Sequence, residues 1–141
     1  MNYFDHKVRV RYAETDQMGM SHHSNYWVWF EEARSELFRE LGLPYSEFEK
    51  ENIFLPVGES FCQFKKPAKY DELITIRTSV SQLKLSTIKF TYQVLDESES
   101  ELLAWGYTTH IFVDQNQKLV PIPESIKENV TLHELPKKIN S

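Results

Sequence analysis

The chain holds one cysteine, four glycines and six prolines in 141 residues. Cys62 alone cannot close an internal disulfide, which suits a reducing compartment, and it reads as a small strand hydrophobe in preference to a nucleophile. So little Gly and Pro leaves few linkers, and residues 1–141 read as a single domain able to bury about two-thirds of its unfolded surface, with a weakly ordered tail over 131–141. The amino-terminal Met1-Asn-Tyr-Phe-Asp-His-Lys-Val8 lacks an apolar leader core, and no apolar run approaches the roughly 20 residues a bilayer requires. The expectation is a soluble, cytoplasmic protein without a membrane span. Positive charge is also short, 16 Lys and Arg against 21 Asp and Glu, and the net −5 argues against a nucleic-acid binder while leaving room for a small anion met by local basic residues. Neither a G-x-S-x-G elbow nor a Gly-rich nucleotide loop is present, and no spaced Cys, His or carboxylate set points to a metal.

What the sequence does hold is centred on Tyr12-Ala-Glu-Thr-Asp-Gln-Met-Gly-Met-Ser-His-His-Ser-Asn-Tyr26, which runs into an aromatic-rich stretch ending at Leu41. At about 100° per residue, Tyr26, Trp29, Phe30, Ala33, Leu37 and Leu41 share one arc roughly 120° wide, with Trp27 and Phe38 widening it. Glu31, Glu32, Ser35 and Arg39 take the other side. The pattern predicts a core helix from an N-cap at Ser24 to Leu41, stopped by Gly42 and Pro44. Alternation predicts strands over 6–12, 72–82 and 85–95, the latter two joined as a hairpin; the mixed apolar and polar run over 53–64 reads as one strand with an irregular entry at Pro56 and Gly58, and 102–113, with aromatics on both parities, as a long strand buried on both faces. Residues 42–52 read as a loop or short helix, and 124–130 as a helical turn. The fold class is α+β: a curled antiparallel sheet of about five strands against one long helix.

Asp16 lies between the first strand and the helix. Asp followed at i+3 by Gly19 is a common type I turn, and that reading stands on its own. Its location supports a second one. A helix start presents unpaired N–H groups and a positive dipole end, so the 20–24 backbone can hold an anionic oxygen while Asp16 faces the same bound carbonyl as base or nucleophile. His22 and His23 serve as polar groups at the helix start or as capping and surface residues. Arg34 falls by phase inside the apolar half of the helix; it either snorkels to an edge or enters an ion pair at a subunit contact. His110, on a strand, reads as a hydrogen-bonded sheet histidine.

The run Val10-Arg-Tyr-Ala-Glu-Thr-Asp16-Gln-Met-Gly19-Met-Ser-His22-His23-Ser-Asn25-Tyr26, with Glu32-Ala-Arg34 on the helix and Phe64-Lys-Lys-Pro67-Ala68-Lys-Tyr-Asp71 further on, resembles the hot-dog-fold acyl-CoA thioesterases of the 4-hydroxybenzoyl-CoA thioesterase type. The resemblance extends to about Pro123. It implies a hot-dog fold in which the sheet wraps the central helix, paired into homodimers or homotetramers with sites at the subunit interface. It further implies hydrolysis of an acyl-CoA to free acid and coenzyme A, with Asp16 as nucleophile or general base, the backbone at His22 and His23 polarising the thioester carbonyl, and Gly19 and Tyr26 in the substrate pocket. Coenzyme A is then part of the substrate, and no separate cofactor is implied. By position, Lys84, Ser86 and Thr87 on the hairpin between the third and fourth strands are the candidates for the coenzyme A phosphates. An acyl-carrier-protein thioesterase and a non-catalytic acyl-thioester-binding module are the alternatives, and neither acyl chain length nor the choice of dimer or tetramer follows from the sequence.

Overall fold

The protein is described here from a computed structural model, which covers residues 2–139. Five strands, β1 (Phe4–Arg9), β2 (Val57–Phe64), β3 (Leu73–Leu83), β4 (Thr87–Leu95) and β5 (Leu102–Ile111), form one sheet in the order β1-β3-β4-β5-β2, every neighbouring pair antiparallel. Helix α1 (Ser24–Glu40) lies against one face, α2 (Tyr45–Lys50) follows it, and α3 (Glu124–Asn129) comes after the last strand. The expected α+β architecture, a curled sheet around a long helix, is what the chain adopts.

Periodicity explains the core. Tyr26, Trp29, Phe30, Ala33, Leu37 and Phe38 are the buried residues of α1, while Glu31 and Glu32 stay exposed. They meet the inward-facing Ile74, Ile76, Ile88, Phe90, Tyr92 and Val94 of β3 and β4, all of them at most 1% exposed. Phe30 stacks on Tyr92 with ring centres 4.1 Å apart. The Phe30 ring reaches over β5, where a Cβ on Gly106 would lie 2.6 Å from the Phe61 carbonyl and 3.0 Å from the Phe30 ring. Only a glycine fits there.

Three expectations need correcting. The first strand spans Phe4–Arg9, not 6–12, and Tyr12, 78% exposed, starts a 3₁₀ turn over Tyr12–Glu14. The turn wins because the Glu14 carboxylate accepts the Arg11 amide at 2.8 Å. The N-cap position is His23, not Ser24, and no side chain caps the helix. The tail predicted to be weakly ordered is instead laid across the outer face of the sheet over 131–139, while residues 140 and 141 lie outside the described residues. Leu132 bridges Val80, the Leu135 amide donates to Thr91 Oγ1 at 3.1 Å, and Trp105 Nε1 donates to the Leu135 carbonyl at 2.9 Å. Leu135 is 3% exposed and Gln93 Nε2 donates to the Pro136 carbonyl, so this short polar segment is held mainly through its backbone, which hydropathy does not register.

Candidate active site

The connection from β1 to α1 is built on hydrogen bonds. The Glu14 carboxylate, on a residue 5% exposed, accepts the Arg11 amide and, at 3.0 Å, Trp29 Nε1. Its main-chain carbonyl accepts the His22 amide at 2.9 Å and Asn25 Nδ2 at 2.8 Å. Glu14 thus ties the turn to the helix from both its side chain and its backbone. The residues that follow form a small ladder with the link before β3: Thr15 bridges Ser21, Met20 bridges Lys69, the Ser21 amide donates to Ala68 O and the Tyr70 amide to Gly19 O, both at 2.8 Å.

Asp16 sits at the tip of this ladder. Its Oδ1 accepts the amides of Met18 at 2.8 Å and Met20 at 3.1 Å, while Oδ2 accepts no hydrogen bond among the described residues. The ordinary turn and the functional reading therefore coexist: one oxygen closes the turn and the other is free. Gly19 has φ +74°, donates its amide to the Asp16 carbonyl and does not line the cleft, so its part is to set the turn.

Asp16, Ser21, His23, Tyr26 and Phe64 line a cleft of about 400 Å³, with the exposed Lys65 and Lys66 also on its walls. His23 lies flat on Phe64 with ring centres 3.7 Å apart and 5° between planes. Tyr26, 1% exposed, turns an edge to the same Phe64 ring; burial pushes its phenol up to about 12, partly offset by a hydrogen bond from the Ala68 backbone. Of the five amides from Met20 to Ser24, those of Met20, Ser21 and His22 are engaged, by Asp16 Oδ1, Ala68 O and Glu14 O. The amides of His23 and Ser24 donate to no acceptor among the described residues. The His22 amide, expected with that of His23 to face a bound carbonyl, is thus engaged in holding the loop.

The hairpin residues Lys84, Ser86 and Thr87 are not brought to Asp16 within one protomer. Thr87 pairs with Ile111 at one end of the sheet, whereas Phe64 pairs with Ala104, which pairs with Val94 at the other. Seven residues along β4 amount to about 23 Å. A larger groove of about 750 Å³, lined by Phe54, Ile111, Val113 and Leu119, also lies at the hairpin end; its Asp114 accepts the amides of Asn116 and Lys118 through Oδ1 and is occupied with its own turn. No group of three or more His, Cys, Asp or Glu comes together as a metal site among the described residues.

Two residues noted in the sequence meet in the core. His110, 1% exposed, holds the Leu55 carbonyl at Nδ1 and Thr108 Oγ1 at Nε2, each at 3.0 Å, and Thr108 Oγ1 lies 2.6 Å from the Tyr92 hydroxyl. Arg34 stands beside the phenols of Tyr92 and Tyr45 without a well-formed hydrogen bond to Tyr45, whose buried hydroxyl has no partner. Burial, with the Arg34 charge second, lowers the His110 imidazole to about 4. Cys62 faces the helix side of the sheet, and burial pushes its thiol up to about 12, an unreactive state.

Comparison with known proteins agrees with this geometry. Residues 10–130 match the model of the thioesterase-like superfamily. An acyl-CoA thioesterase of Haemophilus influenzae is 33% identical over 95 residues, 67% of this chain and 70% of that protein, and the acyl-CoA thioester hydrolase of Escherichia coli O157:H7 is 27% identical across 84% of this chain and 89% of its own. Among solved structures, a DHNA-CoA thioesterase from Staphylococcus aureus superposes with TM-score 0.83 at 31% identity, covering 91% of this chain and 86% of that one. A gentisyl-coenzyme A thioesterase superposes with TM-score 0.81 at 29% identity, covering 88% and 99%. The chain belongs to the thioesterase-like superfamily.

Proposed function

We propose that the protein hydrolyses acyl-CoA thioesters to a free carboxylic acid and coenzyme A, acting in the cytoplasm as a homodimer or homotetramer. The observation that carries this is the free Oδ2 of Asp16 at a cleft that also exposes His23, the first of two helix-start residues with unengaged amides. The thioester carbonyl lies with its oxygen toward the amides of His23 and Ser24, where the dipole of a 17-residue helix adds to the two donors. Asp16 Oδ2 takes a proton from water as the water oxygen attacks the carbonyl carbon, or itself attacks to form a mixed anhydride that water then opens. In either route the C–S bond breaks, the thiolate of coenzyme A leaves, and the amides stabilise the transient oxyanion. The amides of Met18 and Met20 hold the carboxylate in place.

The relatives named above as acyl-CoA thioesterases supply the substrate class. A thiol-release screen with short, long and aromatic acyl-CoAs tests the activity, and Asp16→Asn, which keeps shape and removes charge, tests the residue. The variant should lose about 10²–10⁴-fold in kcat with its melting temperature retained. Wild-type turnover by Asp16→Asn on every substrate would remove Asp16 from the chemistry, and acyl-CoA binding without thiol release would make the protein a binding module instead.

A further inference from the structure

The chain as a whole is acidic, yet cations gather at the cleft. Lys65 and Lys66 line it, and Lys69 follows in the segment laddered to the Asp16 turn through its bridge to Met20. The carboxy-terminal strap crosses the outer face of the sheet and comes down beside them. There Lys65 Nζ donates to the Lys137 carbonyl at 2.5 Å, a contact between residues 72 apart in sequence, and Lys137 Nζ stands 4.9 Å over the Trp105 ring. Lys138 follows, exposed. The nearby acids leave most of this charge uncompensated: Glu101 takes Lys66 Nζ at 2.7 Å, while Glu72 accepts only the Lys69 main-chain amide, at 3.1 Å.

We propose that Lys65, Lys66 and Lys69, together with Lys137 and Lys138 of the strap, form the seat for the phosphates of the coenzyme A moiety, at the rim of the cleft. This rests on the acyl-CoA reading above and adds which surface holds the nucleotide end of the thioester. A coenzyme A thioester carries a diphosphate and a third phosphate at the far end of a flexible arm, so a protein of net charge −5 repels it except where cations cluster. Ammonium groups on flexible stems suit such a ligand, since they donate to phosphate oxygens without demanding one fixed orientation. The two protein segments that carry them are anchored independently of these side chains, one by the Asp16 ladder and one by the backbone of Leu135 and Pro136. The hairpin at Lys84 offers one lysine, at the other end of the sheet.

The test compares wild-type protein with Lys137→Glu/Lys138→Glu and Lys137→Arg/Lys138→Arg, each checked for an unchanged circular dichroism spectrum. Free coenzyme A is titrated by calorimetry at two salt concentrations, and KM is measured for one acyl group carried on coenzyme A and on pantetheine, which lacks the diphosphate and the nucleotide. The Glu variant should bind coenzyme A about 10-fold or more weakly, with a shallower salt dependence, while the Arg variant stays near wild type. The KM penalty should appear for the acyl-CoA and not for the acyl-pantetheine. Equal coenzyme A affinity in the Glu variant and wild type overturns the proposal, as does an equal KM penalty on both substrates. Failure of the thioesterase reading shows separately, as absence of thiol release from both substrates by wild-type protein, and the calorimetric comparison then still decides the lysines.

Discussion

Asp16 and Glu14 stand two residues apart and divide the labour of one loop. Asp16 was legible in the sequence because a carboxylate between a strand and a helix start has a recognisable place. Glu14 was not, since an acid in an exposed-looking turn carries no local mark of burial; only the folded chain shows it accepting Trp29 Nε1 from the first turns of the helix. The one hint was its spacing to Arg11, whose amide it also accepts. His110 illustrates a different kind of consequence. Its imidazole, lowered from an ordinary 6.5 to about 4, is neutral in the folded protein across a range where the unfolded chain would be protonated. The unfolded state binds the extra proton, so this residue's contribution to stability is complete above about pH 6.5 and is lost as pH falls toward about 4, a swing of about 3 kcal/mol. Urea midpoints taken from pH 7.5 to 4 should show that drop in wild-type protein and a flatter profile in His110→Gln. Identical profiles would mean that His110 does not titrate this way.

At the scale of elements, Gly106 is where β5 meets both the Phe61 carbonyl of β2 and the Phe30 ring of α1. Gly106→Ala would drive a methyl group into the Phe61 carbonyl and the Phe30 ring, and a backbone carbonyl in the middle of a paired strand has little room to move. Overpacking of this kind should cost about 1–3 kcal/mol in denaturant unfolding, and a stability within error of wild type would show that β2 can shift outward. Helix and strands were readable because their burial follows a 3.6-residue or a two-residue period: the buried residues of α1 are five of the six core positions on the predicted apolar arc, with Phe38 at its margin. The ends of elements were less readable. His23 took the cap position in place of Ser24 because the Glu14 and Asn25 hydrogen bonds fix where the helix begins, and a propensity for capping does not see tertiary partners.

At the scale of the whole molecule, an edge of the sheet stands unprotected. Strand β2 is an edge, and it is exposed along most of its length, with Val57 51% and Phe61 43% accessible. Long apolar edges seek a partner strand. Light scattering should therefore give a mass no smaller than twice the 16.7 kDa chain, and a monomer at micromolar concentration would count against a shared-interface site. The paths of the strap and of the lysines toward one rim were not legible from sequence, because they depend on which strands the tail crosses after leaving α3. The ladder that joins the Asp16 turn to the link before β3 has a kinetic meaning as well. The Ser21 and Tyr70 amides donate across it, to Ala68 and Gly19, so neither meets deuterated solvent through a flutter of the turn alone. They should exchange on the timescale of the sheet, hours rather than seconds, as exchange mass spectrometry would read. The loop that carries Asp16 is then already in its folded shape before any ligand arrives.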